Sequence, residues 1–258
     1  MKKILSVLLV SVLLIGCSED RVLYNDLTEK GTKESPIMYY KGSLFSGVGF
    51  SEDGFEQYFE DGKQHGYLKT YHENGQLNIH QIYKDNKMNG LFFRYYENGQ
   101  LRNEGNYKDG DTHGPFKVYF ENGKVKKEGN YDNGMKTGLW KWYTKNGVLE
   151  VEQSWKDGTT DGLCKLYYDN GQLQEEVNYK NGKENGVYKT YYENGQLKYE
   201  GQYKDGEIDG VWKVYDISGK YNSIDRSKEY NKMDCFDKDG NEIECECFDK
   251  DGNEIECE

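Results

Sequence analysis

Between Gly186 and Asp209 the chain reads "GVYKTYYENGQLKYEGQYKDGEID". Apolar or aromatic residues alternate with polar ones on both sides of Asn194-Gly195, which predicts two β-strands joined as a hairpin. Asn-Gly is a strong hairpin signal because a type I′ turn needs positive φ at both central residues. A second turn at Asp205-Gly206 leads the chain into the next copy. The unit recurs: Gly66, Gly90, Gly114, Gly138, Gly162, Gly186 and Gly210 keep a step of 24 residues. Asn74-Gly75, Asn98-Gly99, Asn122-Gly123, Asn146-Gly147 and Asn170-Gly171 keep the same step. Such a period marks a repeat architecture. The predicted fold is all-β, an elongated repeat protein built as an open antiparallel meander of stacked hairpins. A shorter, degenerate start reads "YYKGSLFSGVGF" at 39–50.

A two-residue loop at Asn98-Gly99 makes the numbers of facing residues sum to 197. Phe92 then faces Gly105, and the same rule pairs Phe116 with Gly129 and Tyr188 with Gly201. It also pairs Lys117 with Glu128, Lys141 with Glu152, Lys165 with Glu176 and Lys189 with Glu200. Rings over cross-strand glycines and facing opposite charges both stabilise sheets. In this register one face carries Leu77, Leu101, Val125, Leu149, Leu173 and Leu197, with Tyr83, Tyr107, Phe92, Phe116, Trp140 and their equivalents. This is the expected packing face. The other face carries the Lys–Glu pairs and a column of Tyr71, Tyr95, Tyr119, Tyr143, Tyr167, Tyr191 and Tyr215. Two strands per copy space these rings roughly 9–10 Å apart, in a sheet roughly 65–70 Å long.

A mean hydropathy of −1.02 belongs to a very polar chain. Its 24 tyrosines and 15% aromatic content supply the buried area that a disordered chain lacks. The net charge of −12 argues against nucleic acid and against docking on anionic headgroups, and for a basic or cation-bridged partner. Residues 1–16 stand apart: Lys2 and Lys3 precede an apolar run from Ile4 to Ile15, too short to span a bilayer. The run ends in Leu14-Ile15-Gly16-Cys17, which resembles the lipobox of bacterial lipoproteins. That resemblance implies removal of residues 1–16 and acylation of Cys17, hence a membrane anchor in the bacterial envelope, at the outer membrane or cell surface. An ordinary secretory signal with a nearby cysteine is the alternative. The expected organisation is a signal peptide at 1–16, a polar tether at 17–36, a hairpin-repeat domain at 37–233 and a tail at 234–258.

The motif "YYENGQLKYEGQYKDG" is similar to the MORN repeat, in the bacterial variant of proteins labelled YwqK-type antitoxins. The resemblance covers about residues 39–220. It implies stacked hairpins and a role in protein contacts, dimerisation or phospholipid binding; the antitoxin label implies a cytoplasmic toxin as partner. With the lipobox, the expected function is a lipid-anchored interaction scaffold for a protein partner, or secondarily a glycan. The alternative is an antitoxin-like protein acting by direct binding. Two readings of the tyrosine column stand side by side: a stacking platform for a ligand, or aromatic cover of a thin sheet.

The tail repeats "CFDKDGNEIECE" at 235–246 and 247–258. It resembles part of a calcium loop, but Cys235 stands where the loop needs an aspartate. A hairpin extension fits better, and a two-residue turn would face Cys235 with Glu244. Outside the cytoplasm Cys235, Cys245, Cys247 and Cys257 are expected in disulfides of open connectivity. They lack the close pairs of a structural zinc site. His65, His72, His80 and His113 have no ligand spacing and read as surface residues. No nucleophile–base set or phosphate loop stands out, so neither enzymatic activity nor a cofactor is expected.

Overall fold

The computed structural model describes residues 20–224, apart from 34 and 53, and the backbone of four short strands beyond them. The protein divides into two compact units, residues 1–89 and 90–258.

In the first unit β1 (Arg21–Leu23) runs parallel to β5 (Gly47–Phe50). Strands β2 (Thr28–Thr32), β3 (Ser35–Tyr40) and β4 (Ser43–Leu44) form a small antiparallel sheet. From β5 the chain continues antiparallel through β6 (Glu56–Glu60), β7 (Lys63–Tyr71) and β8 (Leu77–Lys84). Val22, Met38, Phe45 and Phe59 make a buried core, with Tyr24, Leu27 and Tyr40 packed on it. The stretch read as a polar tether therefore already holds strands, because Val22 and Leu27 find apolar partners in this core.

The second unit takes in most of β9 (Lys87–Tyr95), which begins just before the boundary, and continues with β10 (Leu101–Lys108), β11 (Asp111–Thr112) and β12 (Gly114–Tyr119). Next come β13 (Val125–Asp132), β14 (Met135–Tyr143), β15 (Leu149–Lys156) and β16 (Thr159–Tyr167). Strands β17 (Leu173–Lys180), β18 (Lys183–Tyr191), β19 (Leu197–Lys204), β20 (Glu207–Ile208), β21 (Trp212–Tyr215) and β22 (Tyr221–Ile224) complete it. From β12 to β19 each strand pairs antiparallel with the next, which is the predicted meander.

All seven predicted cross-strand pairs are present, from Phe92–Gly105 to Lys189–Glu200. The turn that sets them differs from expectation. At Asn98-Gly99 only the glycine has positive φ, 79°, and Tyr96 N–H donates to Gln100 O while Gly99 N–H donates to Tyr96 O. This is a three-residue loop closed by a left-handed glycine, not a type I′ turn. The type I′ geometry sits at the other turn, where Asp109 (54°) and Gly110 (105°) both have positive φ. The longer loop shifts the register by one, and a one-residue bulge between Leu101 and Asn103 shifts it back.

That bulge also changes the faces. Tyr95 pairs with Leu101, Tyr119 with Val125, Tyr143 with Leu149, Tyr167 with Leu173 and Tyr191 with Leu197; Tyr71 and Leu77 do the same in the first unit. Directly paired residues share a face, so the leucine column lies with the tyrosines and not on the packing face as expected. Between hairpins the shift is two residues, as where Glu128 pairs with Lys141 but Asn130 with Thr137. An even shift preserves the faces. It falls at Gly138, whose φ of 66° only glycine adopts readily, and this accounts for the 24-residue glycine step.

The true packing face carries Phe92, Trp140, Cys164, Val177 and Trp212, all buried. Its rings stack on the glycines from both sides. A Cβ on Gly105 would come within 2.7 Å of Phe92 and 3.1 Å of Phe116. On Gly129 it would overlap Trp140, and on Gly201 Trp212. In the tail Cys235–Phe236 pairs with Glu242–Ile243, and Cys247–Phe248 with Glu254–Ile255. Cys235 faces Ile243, not Glu244, since the loop is longer than two residues.

Candidate functional site

On the tyrosine face of the second unit, glutamate and lysine alternate from strand to strand. Glu104 pairs with Lys117, Lys117 with Glu128, Glu128 with Lys141, and Lys141 with Glu152. Lys165, Glu176, Lys189, Glu200 and Lys213 continue the series. The sequence pointed to one lysine per glutamate; stacking the hairpins gives each interior glutamate two. Lys141 Nζ lies 2.9 Å from Glu152, and Lys117 Nζ 3.2 Å from Glu128. In the first unit Glu56 faces Lys69, and Lys69 faces His80 in place of a glutamate. Burial and then the Lys69 charge push the His80 pKa down.

The tyrosine hydroxyls are tied to the same carboxylates. Tyr119 donates to Glu104 at 2.7 Å, Tyr143 to Glu128 at 2.8 Å, Tyr167 to Glu152 at 2.9 Å and Tyr191 to Glu176 at 3.0 Å. Burial, and then the bond to glutamate, pushes each of these phenols up to about 12. Burial pushes the Glu128 carboxyl up, but hydrogen bonds from Tyr143 and Lys117 outweigh it and hold it below the usual range. Glu152 is held low chiefly by Lys141, with burial opposing and Tyr167 adding. The sequence placed Glu128, Glu152 and Glu176 on this face as lysine partners; what it left out was their bond to tyrosine, and Glu104 altogether. Their signal was a spacing of 15 residues from glutamate to tyrosine, identical in four copies.

Of the expected ligand column, Tyr95, Tyr119, Tyr143, Tyr167, Tyr191 and Tyr215 lie on this face of the second unit, and Tyr71 lies on the corresponding face of the first. All seven are half-buried. Beside them runs an exposed apolar column, with Leu91 and Val211 each 57% accessible and Leu139 and Val187 also exposed. Turns bind the hairpins laterally. Asn122 Oδ1 accepts from Lys124 N–H at 3.1 Å, while its Nδ2 donates to Lys145 O at 2.9 Å in the next turn. Asn98, Asn170 and Asn194 make the same two bonds.

On the packing face Lys136 Nζ lies 4.2 Å from the centre of the Trp155 ring, 5.0 Å from Trp140 and 5.3 Å from Trp142. Burial and then the Lys127 charge lower its pKa. Among the described residues no group of three or more His, Cys, Asp or Glu is arranged to hold a metal ion. Cys17 and the side chains of Cys235, Cys245, Cys247 and Cys257 lie outside the described residues.

The hairpin step coincides with a sequence family. A model of the MORN repeat variant matches residues 64–85, 88–109, 112–133, 136–157, 160–181 and 184–205, just over half of the chain. No curated protein matches the chain. With hairpins, bulge glycines and Asn-Gly turns recurring at this one period, the chain belongs to the MORN repeat variant family.

Proposed function

We propose that this protein is an interaction scaffold, anchored by lipid on Cys17 to the bacterial envelope, that binds a protein partner through its repeat sheet. Repeats of this family serve protein and membrane interactions. The observation that carries the reading is the regular Tyr–Glu–Lys ladder. It fixes a row of half-buried rings at a constant step beside exposed apolar residues, a surface suited to an extended partner. The activity is binding, without a chemical step or cofactor.

Two measurements test it. Wild-type chain should partition with membranes and incorporate palmitate, and Cys17→Ser should do neither. In-cell cross-linking should capture a partner that Tyr143→Ala/Tyr167→Ala loses while Tyr143→Phe/Tyr167→Phe keeps it, because the rings and not the hydroxyls face outward. Equal capture by the alanine variant would sink the tyrosine assignment. A full-length chain in the cytosol would favour the antitoxin-like alternative, and a glycan partner would appear as capture that glycosidase treatment abolishes.

A further inference from the structure

One part of the second unit departs from the repeat. On the packing face, the cross-strand row Lys127–Trp142–Val151–Leu166–Glu175 is apolar at its three middle positions. Elsewhere the row is mixed, with Arg94 facing Asn103, Val118 facing Lys127, and Glu175 facing Thr190. The adjoining row changes at the same place. Where Gly129 and Gly201 lie under tryptophans, Gln153 faces Cys164, so one ring of the stack is missing. A shallow, open cleft of about 530 Å³ lies here; Trp142, Val151, Gln153 and Leu166 line it together with Glu150 and Asp169, and Tyr167 and Gln174 also reach it.

Bulges supply the acidic border. Glu150 is the extra residue between Leu149 and Val151, and it reaches the packing face because the register slips there by one. Glu175 follows Leu166 at the far end, and Lys127 and Lys136 are cations at the Trp142 end. The Leu166 end is therefore acidic, on a chain whose net charge is −12.

We propose that this cleft is the seat for an extended basic segment of the protein partner. An aliphatic side chain rests on Trp142, Val151 and Leu166, and an arginine or lysine reaches Glu150 and Asp169. An indole beside carboxylates suits a guanidinium, which stacks on one and forms paired hydrogen bonds to the other. The assignment rests on the scaffold reading and adds to it a second contact, on the face opposite the tyrosine ladder, with the chemistry of the partner segment that reaches it.

The test uses the full chain labelled with ¹⁵N. Its four tryptophans give four indole signals, assigned by Trp→Phe variants. The probes are hexapeptide amides alternating Leu-Arg, Leu-Glu or Ser-Arg. The Leu-Arg peptide should shift the Trp142 indole selectively, and the other two should not. Glu150→Gln/Asp169→Asn should weaken this binding roughly tenfold, at unchanged melting temperature. Leu166→Lys, which puts a cation on the floor, should abolish it. A Trp142 signal unmoved by Leu-Arg overturns the proposal. So does an equal response to Leu-Glu or Ser-Arg, or undiminished affinity in the double variant. In the cross-linking assay, a partner retained by the double variant defeats the cleft but leaves the scaffold. No partner even for wild type defeats the scaffold itself.

Discussion

The Tyr143 hydroxyl donates to Glu128 Oε1 at 2.8 Å, and the same carboxylate faces Lys117 on one side and Lys141 on the other. Glu128 thus joins three strands. Glu128→Gln should cost about 1–2 kcal/mol, because several donors lose a charged acceptor together. Tyr143→Phe should cost about 0.5–1.5 kcal/mol. The double variant should lose less than the sum, since both remove one bond. Urea unfolding of the four proteins checks this; strict additivity would mean that the bond adds nothing to stability.

The ladder also predicts how stability depends on pH. Tyr119, Tyr143, Tyr167 and Tyr191 are raised from 10.0 to about 12 in the folded protein. A group whose pKa is raised on folding stabilises fully below its unfolded value and loses that contribution as pH climbs to the folded one. Thermal stability should therefore fall between pH 10 and about 12, together with phenolate absorbance. Glu128 and Glu152 are lowered from 4.5, so their contribution is present above that value and lost as pH falls below it. Changing all four tyrosines to phenylalanine should shrink the alkaline step, leaving the part carried by Tyr179 and Tyr188, and should weaken the acidic one, because Glu128 and Glu152 lose the tyrosine bonds that help hold them low.

The two kinds of turn should respond differently to one substitution. Asn122 uses both ends of its amide, and Asn122→Asp keeps the acceptor but loses the donor to Lys145 O. A loss of about 1 kcal/mol is expected from the missing bond. Asn133 occupies the type I′ turn with φ of 46°, where aspartate stands in other copies, so Asn133→Asp should be nearly neutral. Melting temperatures of the two variants decide it.

Stacked rings make a third comparison. Gly129→Ala puts a methyl into the Trp140 ring and should cost roughly 1–3 kcal/mol as overpacking. The same change at Gly105, where Phe92 lies 2.7 Å away, should cost less. At Cys164 the logic reverses. Cys164→Trp alone should destabilise, because Gln153 occupies the space that a glycine leaves open elsewhere. Adding Gln153→Gly should recover most of the loss, and differential scanning calorimetry would show whether it does.

Much of this architecture was legible because strand side chains alternate with a period of two and the turn residues mark where each strand reverses. The 24-residue step, the hairpins and the seven facing pairs follow from those regularities alone. The tyrosine face was legible too, and so was the lysine opposite each glutamate within a hairpin. Other features depend on how the backbone closes. Whether Asn98-Gly99 forms a two- or a three-residue loop changes a single φ, and both loops suit the same residues. The bulge after Leu101 then moves a whole column of leucines to the other face.

The repeat, the strand direction and the in-hairpin partners are thus local consequences of side-chain type and spacing. The second lysine of each glutamate, the tyrosine bond that ties it down, and the cleft over Trp142 and Leu166 arise when the hairpins stack. Each of these joins residues on different hairpins. Their register is set by bulges, whose shifts of one or two residues recur from copy to copy but take effect only where neighbouring strands pair.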